Sequence, residues 1–302
     1  MLSLVLLILS FAIFTPLNEE ASGYHFDRGH VATTIKFNSY KNLIIIPAQL
    51  NDTIKLNLIL DTGTRSLILF GKKVKKLKNI VKGKIKINGR GNSESLDASL
   101  SFPNNIKIGD VAGKGIGAVI LNESELMDAI PGIDGIIGYE LFIRFCIKID
   151  YAKRTITLYD EIPADAFENF HTIELSLVDS RPEIISTIHT SKKKKVFAKT
   201  LIDTGSSMGL LVFANKKNNF NVLGLEKEIG TGLAGSVTGF YLGISSWQLG
   251  DIKFFPKDCN LVPTDRESES TISASIGGDF LKDHVVMFHY PSSQFFIKAK
   301  ER

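Results

Sequence analysis

The stretch NLILDTGTRSLILF, residues 57–70, sets an aspartate, Asp61, in the middle of a run of leucine, isoleucine and phenylalanine. An ionised carboxylate is costly to bury unless it is hydrogen-bonded, paired or protonated. For a single case, a strand end or a surface turn is the ordinary explanation. The chain repeats the pattern, however, in KTLIDTGSSMGLLVF at 199–213, where Asp203 follows Asp61 by 142 positions.

Three further matches accompany the two aspartates in the same order along the chain. They are INGRG (87–91) with EIGTG (228–232), IKIGD (106–110) with WQLGD (247–251), and residues 136–159 with residues 275–298. All the offsets lie between 139 and 142 positions. A constant offset of this kind indicates an internal duplication. The sequence therefore predicts two lobes of one design.

Each repeat is written in short β-branched and aromatic segments separated by Gly, Asn, Asp, Pro or Ser, which predicts an all-β fold. Strands are expected at 42–50, 54–60, 96–102, 146–151 and 154–160. Helical signal is limited to residues 123–130 and to the segment after each apolar-apolar-Gly element. A length of 302 residues suits two domains. We place them at 24–165 and 166–302, with the boundary in the polar stretch 160–170.

The first residues form an apolar run of export-signal length. Residues 2–14 carry no charge and are too short to span a membrane as a helix, but fit the apolar region of a signal peptide. We expect residues 1–23 to direct export to the periplasm or the medium. No Lys or Arg precedes the run, and a small-residue cleavage site first occurs at 20–23. An uncleaved N-terminal membrane anchor therefore stays open.

Composition argues against several other classes of protein. The formal charge is +4, and the lysine runs at 72–78 and 192–195 come without a nucleic-acid motif, so we expect solvated loops and no nucleic-acid partner. Six histidines without metal-ligand spacing predict no metal and no cofactor. Cys146 and Cys259 are expected to be buried free thiols. We expect a monomer.

The duplicated aspartates predict a shared site. If the lobes pack about a pseudo-twofold axis, the two Gly-containing turns meet and bring Asp61 beside Asp203. Two carboxyl groups in contact cannot both ionise easily, so the pair shares one proton. The ionised partner can then act as a general base on water while the protonated one polarises a substrate carbonyl.

With these motifs, residues 30–298 resemble the pepsin-like and retropepsin-like aspartic proteases. The matching residues are ILDTGT and LIDTGS, each followed downstream by an apolar-apolar-Gly element that ends at Gly138 or Gly277. The resemblance implies a bilobal acid-protease fold of two β-barrel-like lobes with few short helices. In that fold the apolar-apolar-Gly strand threads beneath the Asp loop in a ψ shape. It also implies an endopeptidase with a polypeptide substrate and with Asp61 and Asp203 as catalytic residues.

The resemblance also assigns three supporting pairs of residues: hydroxyls that bond to each other beneath the aspartates, glycines where backbone must approach closely, and hydroxyls that donate to the outer carboxylate oxygens. These are Thr62 with Thr204, Gly63 with Gly205, and Thr64 with Ser206.

The regions that would cover the site differ from the pepsin pattern. Residues 88–102 hold no tyrosine, whereas pepsin-like enzymes carry one in the first-lobe flap. In the second lobe, Phe240 and Tyr241 fit either a flap or a packed strand, and we favour the strand. Gly-x-Gly at the matching place in both lobes suggests two fused retropepsin-type halves, each with a short flap.

Two alternatives to a general peptidase stay open. The first is a catalytically silent peptide-binding module on the same scaffold, which captures an extended chain by strand addition. The second is a protease that acts only on itself or on one membrane-associated partner. Both aspartates and all four supporting hydroxyls are retained, which favours an enzyme, because binding alone does not need a proton-sharing pair.

Overall fold

The computed structural model describes residues 22–27, 29–87, 96–121, 129–191, 194–214, 220, 222–232, 235–255, 259–264 and 272–300. Strands make up 63% of the described residues and helices 8%, so the predicted all-β class is confirmed. The export segment 1–23 lies outside the described residues except for its last two positions, and the expected helix 123–130 lies outside except for its own last two. No helix in the described part is long and apolar enough to cross a membrane.

The strands of the described residues range from three to thirteen residues in length. In the first half they are β1 (Gly23–Phe26), β2 (Ala32–Lys36), β3 (Asn38–Tyr40), β4 (Leu43–Leu50), β5 (Ile54–Leu60), β6 (Leu67–Leu69), β7 (Ile80–Ile87), β8 (Leu96–Ile108), β9 (Val111–Leu121), β10 (Gly135–Ile137), β11 (Cys146–Asp150) and β12 (Thr155–Tyr159). In the second half they are β13 (His171–Glu174), β14 (Ser176–Val178), β15 (Arg181–Thr190), β16 (Lys195–Ile202), β17 (Leu210–Ala214), β18 (Val222–Gly232), β19 (Gly235–Leu242), β20 (Ile244–Leu249), β21 (Ile252–Phe254), β22 (Cys259–Pro263), β23 (Ile272–Ile276), β24 (His284–His289) and β25 (Gln294–Ala299).

The helices in the described residues are all short. Two are α-helices, α1 (Tyr139–Phe142) and α2 (Gly278–Leu281), and each follows an apolar-apolar-Gly element as expected. Three are 3₁₀ helices at Val74–Lys76, Ala164–Phe167 and Tyr290–Ser292. The expected lobe boundary, 160–170, falls at the second of these, between β12 and β13. The division into 24–165 and 166–302 stays a prediction.

Two large sheets repeat one topology. The first has the order β1-β9-β6-β10-β5-β4-β8-β7, with β3 on β4. The second has the order β18-β19-β22-β17-β23-β16-β15-β20-β21, with β14 on β15. In each, one short strand lies parallel to one neighbour and antiparallel to the other: β10 between β5 and β6, and β23 between β16 and β17. The duplication found in the sequence is therefore a duplication of topology, compatible with two lobes.

A third, six-stranded sheet joins the halves in the order β13-β25-β24-β11-β12-β2. Its two central strands pair Lys148 with Met287, which stands 139 positions further along the chain. That separation equals the repeat offset of these segments, so the two paired residues are equivalent to each other. A strand that pairs with its own repeat at equivalent positions requires a twofold relation. The pseudo-twofold axis therefore passes between β11 and β24.

The apolar core runs continuously from one half to the other. Phe142 of α1 stacks on Tyr290 with ring centroids 5.4 Å apart and meets Phe288 edge-on at 5.2 Å. All three side chains are at most 2% exposed. Full burial of one such ring stabilises the fold by about 1.5–3 kcal/mol. The helix that follows the first apolar-apolar-Gly element is therefore anchored on the second half.

Cysteine and lysine residues fall partly as expected. Both cysteines are buried and neither forms a disulfide, and burial raises the pKa of the Cys146 thiol to about 12. The run 72–78 connects β6 to β7 and is exposed at Lys72, Lys73, Lys75 and Lys78, as its charge predicts. Val74 and Leu77 are buried, and Lys73 pairs with the buried carboxylate of Asp134 at 2.8 Å. Residues 192–193 of the second run lie outside the described residues, in the connection between β15 and β16.

Candidate active site

Two equivalent loops begin where β5 and β16 end. The backbone N–H of Asp61 donates to the carbonyl of Ile137 at 2.8 Å, and the N–H of Asp203 donates to the carbonyl of Ile276 at 2.8 Å. These carbonyls belong to the last residues of β10 and β23. Each apolar-apolar-Gly strand thus runs alongside the strand that delivers the aspartate and bonds to the aspartate itself.

The glycines that end these strands have no room for a side chain. A Cβ on Gly138 would overlap the carbonyl oxygen of Asp61 and lie 2.9 Å from its carbonyl carbon. A Cβ on Gly277 would lie 2.5 Å from the carbonyl oxygen of Ser206. Both positions are closer than the 3.4 Å at which ordinary contacts begin. The close approach of strand and loop therefore requires glycine at both places.

Beneath the aspartates the two loops are joined by four reciprocal hydrogen bonds. The N–H of Thr62 donates to Thr204 Oγ1 at 3.0 Å, and the N–H of Thr204 donates to Thr62 Oγ1 at 3.0 Å. Each hydroxyl then donates to a carbonyl at the end of the opposite strand, Thr62 to Ile202 at 2.5 Å and Thr204 to Leu60 at 2.8 Å. Both threonines are completely buried. The loops are therefore locked to each other across the pseudo-twofold axis.

Both carboxyl groups lie close to Gly63, where an added Cβ would be 3.0 Å from Asp61 Oδ1 and 3.4 Å from Asp203 Oδ1. A Cβ on Gly205 would lie 2.5 Å from both carboxylate oxygens of Asp61. Each glycine therefore lies against the carboxylate of the opposite loop. The N–H of Gly63 also donates to Asp61 Oδ1 at 2.6 Å, and the N–H of Gly205 donates to Asp203 Oδ1 at 3.1 Å.

The two aspartates differ in their surroundings. Asp203 is 7% exposed, whereas Asp61 is partly exposed. The charge of Asp61 also reaches Tyr290. The pKa of that phenol is raised well above its ordinary value, first by burial, then by Asp61 and then by Tyr139. The site thus combines a buried aspartate with one that solvent or a ligand can reach.

The hydroxyl residues at the third position after each aspartate close the turns. The N–H of Thr64 donates to the carbonyl of Asp61 at 3.2 Å, and the N–H of Ser206 donates to the carbonyl of Asp203 at 3.2 Å. The Thr64 hydroxyl lies 3.5 Å from the carbonyl of Ser66, at the outer limit for a hydrogen bond, and Ser206 Oγ accepts the N–H of Met208 at 3.3 Å. Donation to the outer carboxylate oxygens stays a prediction.

Each half carries an antiparallel hairpin at the place expected for a flap, β7–β8 in the first and β18–β19 in the second. The tips, 88–95 and 233–234, lie outside the described residues. Phe240 is half-buried and packs against the core, as a strand residue should, whereas Tyr241 is 40% exposed. The prediction of a strand residue packed against the core is therefore right for Phe240 and does not fit the exposed Tyr241.

Sequence reasoning missed a second pair of equivalent residues, Tyr151 and Tyr290. They stand 139 positions apart in the aligned segments, so the repeat already contained the signal. Both rings are buried, and neither hydroxyl has a hydrogen-bond partner among the described residues.

Asp134, directly before β10, was also missed. It accepts the N–H of Asn57 at 2.8 Å, is 6% exposed and ties β10 to β5. No sequence pattern marked it.

The described residues contain no group of three or more His, Cys, Asp or Glu side chains that could hold a metal ion. The aspartate pair, held on two interlocked loops, is the chemically distinctive feature.

Comparison with known proteins bears on the first half of the chain. Residues 46–141 match the model of a family described as aspartyl protease. No curated protein matches the chain. The matched segment includes the Asp61 loop and the Gly138 strand that supports it. Over residues 46–141 the chain is thus similar to the aspartyl protease family, which is consistent with the pepsin-like and retropepsin-like aspartic proteases.

Proposed function

We propose that the protein is an aspartic-type endopeptidase that hydrolyses peptide bonds with a water molecule activated between Asp61 and Asp203. One observation carries this proposal: Gly63 and Gly205 each lie against the carboxylate of the aspartate in the opposite loop. The aspartyl protease family match gives independent support for the first half. The duplication extends the same chemistry to the second.

In this mechanism the two carboxyl groups share one proton, because two like charges on neighbouring carboxyl groups cannot both form easily. The ionised carboxylate removes a proton from water as the water oxygen adds to the substrate carbonyl carbon. The protonated carboxyl donates a hydrogen bond to the carbonyl oxygen and stabilises its developing charge. A carboxyl group then protonates the leaving nitrogen, the C–N bond breaks, and the pair again holds one proton.

The surroundings of the aspartates support this assignment. N–H groups of Gly63 and Gly205 donate to one oxygen of each carboxylate, which lowers the cost of the charge that the pair carries. The Thr62–Thr204 bonds fix the loops, so the carboxyl groups are held in place before a substrate binds. The partial exposure of Asp61 gives a substrate access from one side.

The test compares cleavage of an unfolded protein between pH 3 and pH 8 by the native chain, Asp61→Asn and Asp203→Asn. Asp251→Asn is the matched control, because Asp251 is exposed in the turn between β20 and β21. General acid–base catalysis contributes about 10²–10⁴-fold, so each site variant should lose at least that much and the control nothing.

Activity that survives either site substitution would refute the mechanism. If the native chain binds peptides but cleaves none at any pH, the protein is the silent peptide-binding module instead.

We also propose that the substrate is an extended polypeptide, that the enzyme is a monomer exported by residues 1–23, and that it binds no nucleic acid. Support comes from the open sheet edges, which suit strand addition, and from the apolar run at 2–14. Sedimentation of the secreted chain and sequencing of its N-terminus test these points. A retained segment 1–23 would indicate a membrane anchor, and a dimer would refute the monomer.

A further inference from the structure

A cavity of about 330 Å³ opens on the first half of the molecule, beside the Asp61 loop. Buried Ser101 and Ala118 line it together with three large side chains that are 40–56% exposed, namely Val81, Leu100 and Phe102. Its volume is at the lower end of the roughly 300–1,000 Å³ of ligand pockets, and most such pockets have an apolar lining with few polar groups. The cavity therefore has the size and the wall of a site for one extended side chain.

Glu140 is the one ionisable residue among the described residues that line the cavity. The hydroxyl of Tyr24 donates to Glu140 Oε2 at 3.4 Å, and the N–H of Leu67 also bonds to the carboxylate. Burial raises the pKa of Glu140 to about 7. No lysine or arginine among the described residues pairs with it. A carboxylate that has lost water and gained no cation is a favourable partner for a cation supplied by a ligand.

The cavity is built on the segments that hold the proposed catalytic residue. Ser66, another lining residue, closes the loop that begins at Asp61. Glu140 lies in α1, whose first residue, Tyr139, donates its N–H to the carbonyl of Thr64 at 3.0 Å. A ligand in the cavity therefore contacts the two segments that set the position of Asp61.

The strands that supply the exposed rim also suit an extended chain. Val81 belongs to β7, which is the last strand of its sheet in the described structure, and Leu100 lies on its partner β8. An extended peptide that adds to such an edge presents alternate side chains to pockets on one face. One of those side chains can enter the cavity.

We propose that this cavity is a specificity subsite for a lysine or arginine side chain of the polypeptide substrate, with Glu140 as its ion-pair partner. The proposal rests on the proposed peptidase function. The apolar stem of the side chain packs against Val81, Leu100 and Phe102, and its charged end reaches Glu140. A hydrogen bond to a charged group in such a place corresponds to about a 10- to 100-fold preference in kcat/KM.

The test uses peptide pairs that differ by lysine or norleucine at a single position, scanned on both sides of the cleaved bond. Norleucine keeps the apolar stem and lacks the cation. At one position the native chain should prefer lysine about 10- to 100-fold. Glu140→Gln should bring the ratio of kcat/KM for the lysine and norleucine peptides to about 1, whereas loss of a merely structural role would lower both rates alike and leave the ratio unchanged. Glu168→Gln, at an exposed glutamate, is the matched control.

The outcomes separate this proposal from the peptidase proposal. If peptides are cleaved with no lysine preference at any position, or if the preference survives Glu140→Gln, the subsite is refuted while the peptidase stands. If no peptide is cleaved, the peptidase proposal fails, and the same pairs are titrated against the chain by fluorescence anisotropy. Tighter binding of lysine that depends on Glu140 would then support the cavity site, and equal affinities would overturn it.

Discussion

Substitution of Gly205 by alanine tests the geometry of the aspartate pair without removing either acid. The added Cβ would lie 2.5 Å from both carboxylate oxygens of Asp61. Because those atoms end a side chain, Asp61 can rotate away and the fold can survive. The same Cβ would lie 2.2 Å from Asp61 Cγ, and ordinary contacts begin at 3.4 Å, so the carboxyl group must move by about 1.2 Å.

A displacement of that size is large for catalysis. Misplacement of a reacting group by about 1 Å can cost roughly 10²-fold in rate. It also breaks the 2.6 Å hydrogen bond from the N–H of Gly63 to Asp61 Oδ1. We therefore expect Gly205→Ala to lower kcat/KM at least 10²-fold on an unfolded protein substrate, mostly through kcat.

Gly63→Ala provides the matched comparison. Its Cβ would lie 3.0 Å from Asp61 Oδ1 and 3.4 Å from Asp203 Oδ1, so the required shift is about 0.4 Å and the loss should be much smaller. Thermal unfolding of both variants checks that each is folded at the assay temperature. A folded Gly205→Ala variant with activity within threefold of the native chain would refute the arrangement of the pair.

Three further predictions concern stability. Thr204→Val removes the acceptor of the buried Thr62 N–H and should lower the free energy of unfolding in urea by about 1–3 kcal/mol, whereas Thr204→Ser should lower it less. Strictly additive losses for Thr62→Val and Thr204→Val would argue against a shared hydrogen-bond network. Asp134→Ala should lower the free energy of unfolding by about 1–3 kcal/mol, and Lys73→Ala should lower it by less than about 1 kcal/mol, because the lysine is half-exposed. Equal losses would assign the stabilisation to the ion pair alone. For Glu140, the folded pKa of about 7 exceeds the ordinary 4.5, so its stabilising contribution is full below pH 4.5 and is lost as the pH rises through 7. Allowing for the exposed part of the carboxyl, we expect a loss of about 1–2 kcal/mol that Glu140→Gln abolishes; the same pH dependence in both chains would contradict a buried carboxyl.

Local pattern was sufficient for many individual elements. The segment 54–60 forms β5 with its predicted bounds, because β-branched and aliphatic residues between turn residues favour an extended chain. Residues 96–102 open a strand that continues to Ile108. The predicted strand ended too early, because Pro103 and the asparagines after it are not typical of a strand. In the run 72–78 the density of lysine indicated solvent, and Lys72, Lys73, Lys75 and Lys78 are exposed. The ion pair of Lys73 could not be predicted, because its partner stands 61 positions away in the chain.

The sequence by itself determined the all-β class, the duplication and the identity of the paired residues, because these depend on local composition and on a constant offset along one chain. The tertiary structure decided what the pairs do for each other. Only packing shows that Gly205 lies against Asp61, that Thr62 and Thr204 exchange hydrogen bonds, and that Lys148 pairs with its own equivalent, Met287. The same holds for Glu140, whose burial beside Tyr24 depends on strand β1, more than a hundred residues earlier. Contacts between distant segments are set by how sheets pack, and no single stretch of sequence carries that information.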